Sequence, residues 1–179
     1  MANILDDMLR LVRLRACVYF VRDLAAPWGF DLPDLEVAPM HLILGGTASV
    51  RVAGGNLVLL GPGDAAFFPV GDAHRIGRAG NADQSSTTRL LCGHFEWDTG
   101  AGMPLAANLP DVMVVRDLFG GGDGAMLRQV VAMIEAGAPR TAADEPGGSI
   151  LADRLGEVLF IGLLRRWAFQ AAPRKGVLA

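Results

Sequence analysis

The sequence predicts a mainly β protein, a barrel or sandwich of short strands, with a short helix before it and a pair of helices after it. Three observations predict this. Between Val37 and Trp97 the chain runs through Met40-Leu44, Ala48-Val52, Leu57-Leu60, Ala65-Phe68 and His74-Arg78, then a longer segment from Arg89 to Trp97, all strand-like. Between these runs stand Gly45-Gly46, Gly54-Gly55-Asn56, Gly61-Pro-Gly63, Pro69-Val-Gly71 and Gly77-Arg-Ala-Gly80, which is hairpin chemistry repeated at short intervals. After Trp97 the apolar residues return at helical spacing. With 179 residues, 51% of them hydrophobic and 20% charged, the chain can bury a sizeable core as one structural unit.

The elements follow in order. Residues Asn3 to Arg13 place Ile4, Leu5, Met8, Leu9 and Val12 on one side, with Asn3 as cap and Asp6-Asp7 in the first turn, so a short amphipathic helix is expected. From Ala16 the run Cys17-Val-Tyr-Phe-Val-Arg-Asp23 is β-branched and aromatic, and it stops near Ala25-Ala-Pro27-Trp-Gly29. Residues 98–122 read as loop with a short apolar run at Val112-Val115, closed by Gly120-Gly-Gly122. A helix is expected over Asp123-Gly137, with Met126, Leu127, Val130, Val131 and Ile134 on one face and Gly137 as C-terminal cap. A connector, 138–148, leads to a last helix from Ser149 to Gln170. The boundary is placed at 122, giving a barrel over 1–122 and a helical hairpin over 123–179 packed on it.

The last helix carries Leu151, Leu155, Val158, Leu159 and Leu163 on one stripe and Ile150, Ile161 and Leu164 partly on another. So wide an apolar surface needs two covers, and a two-fold dimer contact through the second stripe is the expectation. It is not a membrane span: Arg154, Glu157 and Arg165-Arg166 leave an apolar stretch far short of the roughly 20 residues a span needs. A net charge of −3 argues against a chain that holds nucleic acid by itself. Cys17 and Cys92, the two cysteines, suggest no disulfide framework, and Met1-Ala-Asn-Ile-Leu runs into Asp6-Asp7 without a signal peptide, so a cytoplasmic location is expected.

The stretch Gly63 to His74 has the spacing Gly-x5-Pro-x-Gly-x2-His. It resembles the second signature motif of the cupin superfamily, although the asparagine that often follows the histidine is absent. That resemblance implies a double-stranded β-helix, the jelly-roll barrel. The first cupin motif departs from its usual form: His41 stands alone, Ile43 fills the place of a second histidine, and Gly45-Gly46 replaces a nearby carboxylate.

The chemistry must come from His41, His74, His94 and Cys92. Alternate residues of a strand share a face, so Cys92 and His94 point the same way, with Leu90 and Glu96. If the barrel brings that strand beside those carrying His41 and His74, one thiolate and three imidazoles make a set suited to a tetrahedral, structural zinc. The alternative is that each histidine is a satisfied barrel or turn residue and Cys92 a small buried hydrophobe. Glu96 reads as a rim carboxylate and Cys17 as core. Trp28, Phe67, Phe68, Phe95 and Trp97 could line a small-molecule pocket or simply fill the core.

At larger scale Met8-Leu-Arg-Leu-Val-Arg-Leu-Arg15, Ala26-Pro-Trp28, Met40-His-Leu-Ile-Leu-Gly-Gly46, Val70-Gly-Asp-Ala-His74, Arg89-Leu-Leu-Cys-Gly-His-Phe95 and Asp153 to Arg166 resemble, in order, the N-terminal cupin domain of AraC-type transcriptional regulators. The resemblance implies an effector-sensing and dimerising domain, with DNA bound only through a C-terminal pair of helix-turn-helix units that would follow Ala179. No such unit is legible here, because the two long helices are separated by too long a connector and neither presents a basic reading face. Two other readings remain: a small metal-dependent cupin enzyme, an isomerase or oxygenase, with Glu96 as acid or base, and a barrel kept only for packing and association.

Overall fold

Two antiparallel sheets face each other in the computed structural model, which describes residues 14–52, 55–80, 87–97, 109–137 and 148–171. The expected helix over residues 3–13 lies outside the described residues. The strands are β1 (Leu14–Ala25), β2 (Gly29–Leu32), β3 (Ala38–Gly45), β4 (Ala48–Val52), β5 (Leu57–Leu60), β6 (Ala65–Phe67), β7 (His74–Arg78), β8 (Thr87–Trp97) and β9 (Met113–Val115). A 3-10 turn (Leu118–Gly120) and two helices, α1 (Gly124–Gly137) and α2 (Gly148–Ala171), follow. One sheet has the order β1-β8-β3-β6-β9 and the other β2-β7-β4-β5. This is the jelly-roll arrangement with a helical pair, as the sequence predicts.

Two layers of core follow from the period of two along each strand. Ile43, Ala66, Phe68, Leu90 and Cys92 of the five-stranded sheet meet Ala48, Val50, Leu60 and Ile76 inside the barrel. Their immediate neighbours Leu42, Ala65, Phe67 and Leu91 point outward and are covered by Leu127, Ile134, Leu159, Phe160 and Leu163 of the helices. Because both faces of this sheet are buried, β3 and β6 read as continuous apolar runs instead of alternating ones.

Strands β2 and β9 are absent from the sequence reading. Each has four residues or fewer and sits at the edge of its sheet. Each exists because a distant strand pairs with it: Phe30 lies opposite Ile76, and Val114 opposite Ala66. So short a segment carries no periodic signal of its own.

The helices differ from expectation in the direction they face. In α1, Leu127, Val130, Val131 and Ile134 are buried as predicted, but Met126 is exposed. In α2 the buried face is Ala152, Leu159, Phe160, Leu163 and Leu164, while Leu151 and Val158 are exposed. The stripe is therefore rotated by about one residue from the one drawn from hydrophobicity alone. Leu164, assigned above to a dimer surface, is only 2% exposed; Ile150 and Ile161 are 64% and 40% exposed. Polar contacts fix this rotation. The Val18 amide of β1 donates to Asp153 Oδ1 at 3.0 Å, and the Arg116 amide, one residue past β9, donates to Gln170 Oε1 at 3.0 Å, tying α2 to both edges of the five-stranded sheet.

Candidate functional site

His41 and Cys92 lie directly opposite each other on neighbouring strands β3 and β8, so both side chains project from the same face, into the barrel. His74 opens β7 in the facing sheet. The turn before it delivers it there. Gly71 has φ +80°, and a Cβ at this position would stand 2.0 Å from the Leu35 carbonyl oxygen, so the motif glycine is required for both conformation and space.

The three side chains form a chain of hydrogen bonds. His41 Nδ1 is 3.0 Å from Cys92 Sγ, His41 Nε2 is 2.8 Å from His74 Nε2, and His74 Nδ1 is 2.7 Å from the Asp72 carbonyl oxygen. The last contact sets the direction of the rest. A carbonyl only accepts, so the proton is on His74 Nδ1 and a lone pair on its Nε2; His41 then donates from Nε2 and accepts at Nδ1 from the Cys92 thiol. The Phe68 ring stacks on His74, centroids 3.6 Å apart and planes 8° from parallel, which holds the imidazole in this orientation.

Burial keeps every member neutral. His41 is brought down to about 3, first by burial and then by the neighbouring His74. His74 is lowered by burial, against the opposing pull of the Asp72 carbonyl hydrogen bond. Burial alone pushes the Cys92 thiol far up, so it is a thiol and not a thiolate.

Of the four candidate zinc ligands, the structure brings His41, His74 and Cys92 together and sets His94 apart. His94 shares the strand face of Cys92, as expected, but its Nε2 lies 3.1 Å from Glu96 Oε1 and its ring packs 5.0 Å from Tyr19. Its Nδ1 is buried without a partner. Nor do the other three converge. The two nitrogens of His41 point in different directions and serve different partners, whereas a chelated ion needs one atom from each ligand aimed at one point. Tetrahedral zinc would hold nitrogen donors about 3.3 Å apart, and the 2.8 Å between the histidines is a hydrogen-bond distance. Among the described residues no group of three or more His, Cys, Asp or Glu side chains is arranged to hold a metal ion. This donor set, as arranged, does not fit the four-ligand zinc site.

Cys92 and His41 instead form the polar floor of a cavity of about 210 Å³ whose other walls are Tyr19, Phe20, Phe30, Leu32, Leu35, Pro39 and Gly93. The aromatic candidates named from sequence lie elsewhere. Phe67, Phe95 and Trp97 pack against Phe160 of α2 on the outer side of the sheet, and Phe68 is spent on His74. What sequence reasoning missed was Tyr19, Phe20 and Phe30. A bulge explains the first two: β1 slips register against β8 between Val18 and Phe20, leaving Tyr19 without a register partner and Phe20 opposite Cys92. Gly93 makes the close approach possible, since a Cβ there would meet the Cys17 carbonyl oxygen at 2.6 Å. The only signal in the sequence was that glycine inside an otherwise apolar strand.

Comparison with known proteins agrees with this architecture. The chain is 23% identical over 146 residues to the RCS-specific HTH-type transcriptional activator RclR of Escherichia coli, covering 82% of this chain and 49% of RclR. It thus spans about half the length of that curated relative. Its fold is similar to that of ToxT from Vibrio cholerae O395, solved bound to (E)-4-(8-methylnaphthalen-1-yl)but-3-enoic acid, with a TM-score of 0.50 at 11% identity over 88% of this chain and 57% of ToxT. No helix among the described residues is long and apolar enough to cross a membrane. The cupin family matches residues 3–168, nearly the whole chain, and this match agrees with the two-sheet barrel and the Gly63-to-His74 turn: the chain belongs to the cupin family, in the branch related to the cupin domains of AraC-type transcriptional regulators.

Proposed function

We propose that this chain is the effector-sensing and dimerisation domain of a cytoplasmic AraC-type transcriptional regulator, with DNA bound only through a C-terminal domain outside it. One observation carries the sensing half: the apolar cavity of about 210 Å³ at the barrel mouth, closed below by His41 and Cys92. A dry cavity of about 150 Å³ already holds benzene, so an uncharged aromatic molecule of about ten carbons is the size of effector this one takes. Likeness to a transcriptional activator supports the regulatory context. The exposed Ile150, Leu151, Val158 and Ile161 of α2 support the dimer, now without Leu164.

The test has three arms. Titration with 4-phenylbutan-2-one, an uncharged aromatic ketone, should raise the melting temperature of the wild-type protein and not of Leu32→Arg, which puts a charge in the cavity wall. Ile161→Glu should be a monomer in sedimentation where the wild type is a dimer. A mobility-shift titration at low salt with the source gene's upstream region should show no specific retardation by this chain and clear retardation by a longer product carrying helix-turn-helix units. Turnover of a small substrate by residues 1–179 would favour the cupin-enzyme alternative and defeat the sensor reading.

A further inference from the structure

We propose that Cys92 is a covalent capture site for a small, uncharged α,β-unsaturated carbonyl compound, with His41 and His74 as a metal-free proton relay that activates the thiol when the cavity is filled. The proposal rests on the cavity being the effector site and says what class of effector it takes.

Four observations carry it. Cys92 lines the cavity together with His41, so its sulfur borders the space a ligand would occupy. Its proton is already aimed at a base, because the direction of the hydrogen-bond chain is set by the Asp72 carbonyl at its far end. Apart from Tyr19, whose phenol burial keeps protonated, the other cavity walls are apolar or glycine, so Cys92 is the one thiol that an electrophile held there meets. The relay ends beside a carboxyl group: Asp72 Oδ2 is buried without a hydrogen-bond partner, burial with Asp111 and Asp34 raises its pKa, and its charge when ionised favours a proton arriving at His74.

The step balances without any further reactant. The Cys92 sulfur forms a bond to the β-carbon, the carbon–carbon π bond breaks, and its electron pair becomes an enolate. The thiol proton moves to His41 Nδ1 while the proton on His41 Nε2 moves to His74 Nε2, so the positive charge comes to rest on His74 beside Asp72 rather than next to the sulfur. One proton then returns along the same chain to the α-carbon. The product holds every atom of both reactants, and neither is oxidised. A neutral resting thiol is part of the design: a charged, water-soluble electrophile finds no thiolate to attack and no charged wall to bind. Other cysteine chemistry is thereby disfavoured. Cys17, the second cysteine, is only partly buried and lies outside the cavity lining, and its pKa is raised by burial, Asp153 and Glu96.

The experiment uses the whole chain in EDTA with 4-phenyl-3-buten-2-one, followed by intact-mass and peptide-mapping mass spectrometry. The expected result is one added equivalent per chain, on Cys92 and not Cys17, at a rate at least tenfold above that of glutathione. His41→Gln, which keeps a polar side chain but cannot take the proton, should lower that rate at least tenfold with its circular dichroism spectrum unchanged. If His41→Gln does not fold, the choice between Cys92 and Cys17 in the wild-type protein decides alone. Binding of the saturated ketone with no Cys92 adduct from the enone overturns this inference and leaves the sensor reading standing; failure of both removes the sensor reading as well. Stoichiometric zinc in protein purified without added metal, lost in Cys92→Ser, would also overturn it.

Discussion

The packing of α2 against the barrel turns on Phe160, which makes its truncation a direct test of the architecture. The side chain is 1% exposed and its ring lies 4.5 Å from Phe95, 5.4 Å from Phe67 and 6.0 Å from Trp97, centroid to centroid. Phe160→Ala leaves a cavity between the sheet and the helix, bordered by the rings of Phe67, Phe95 and Trp97. Such truncations cost about 3–5 kcal/mol, a large part of the roughly 5–15 kcal/mol that holds a domain together. For a chain of this size each kcal/mol moves the melting temperature by about 2–4 °C, so a fall of about 6–20 °C is expected in a thermal melt followed by circular dichroism. The control is an exposed residue of α1: Met133→Ala should change stability by no more than about 0.5 kcal/mol. A Phe160→Ala protein that melts within about 3 °C of the wild type would mean that α2 is not seated on the outer face of the five-stranded sheet, and the two-layer core would have to be abandoned.

Gly71→Ala should lose more than about 2 kcal/mol in urea unfolding, combining the strain of a left-handed alanine with the clash against Leu35; Gly80→Ala, with open space around its Cβ, should be silent. Acid should destabilise the protein through its buried histidines. The folded pKa of His41, about 3, lies below the unfolded value near 6.5, so its contribution is fully present above pH 6.5 and is lost as the pH falls toward 3. His74 acts in the same direction. The slope approaches about 1.4 kcal/mol per pH unit for His41 once the unfolded form is protonated. Urea midpoints measured in EDTA at pH 7, 6 and 5 check it, and a flat profile would refute the buried neutral relay. The monomeric Ile161→Glu protein and the Cys92 adduct complete the set.

Strand existence was legible wherever a run of apolar residues was bounded by glycine turns, because hairpin chemistry is local. The Gly63-to-His74 spacing announced both the barrel and one site histidine for the same reason: Gly71 is demanded by the backbone at its own position. Pairing His41 with Cys92 needed the register of β3 against β8, two strands separated by more than 40 residues. The sequence contains both residues but not their distance. Grouping His94 with them followed from strand alternation, which is correct about the face and silent about depth: two residues along β8 carry His94 past the relay, to Tyr19 and Glu96.

The aromatic lining shows the limit most clearly. Tyr19 and Phe20 are consecutive, and a regular strand would send them to opposite faces; only the bulge beside Gly93 lets both line one cavity. The orientation of α2 was undetermined for a related reason. Its apolar residues nearly encircle it, so hydrophobicity does not select a face, and the choice falls to Asp153 and Gln170 reaching the backbone at the two sheet edges. By itself the sequence determined what depends on neighbouring residues: the strands, the turns and the chemical types available to a site. Tertiary structure decided what depends on contacts between distant segments, namely register, the rotation of a helix, and which partners His41, His74 and Cys92 meet.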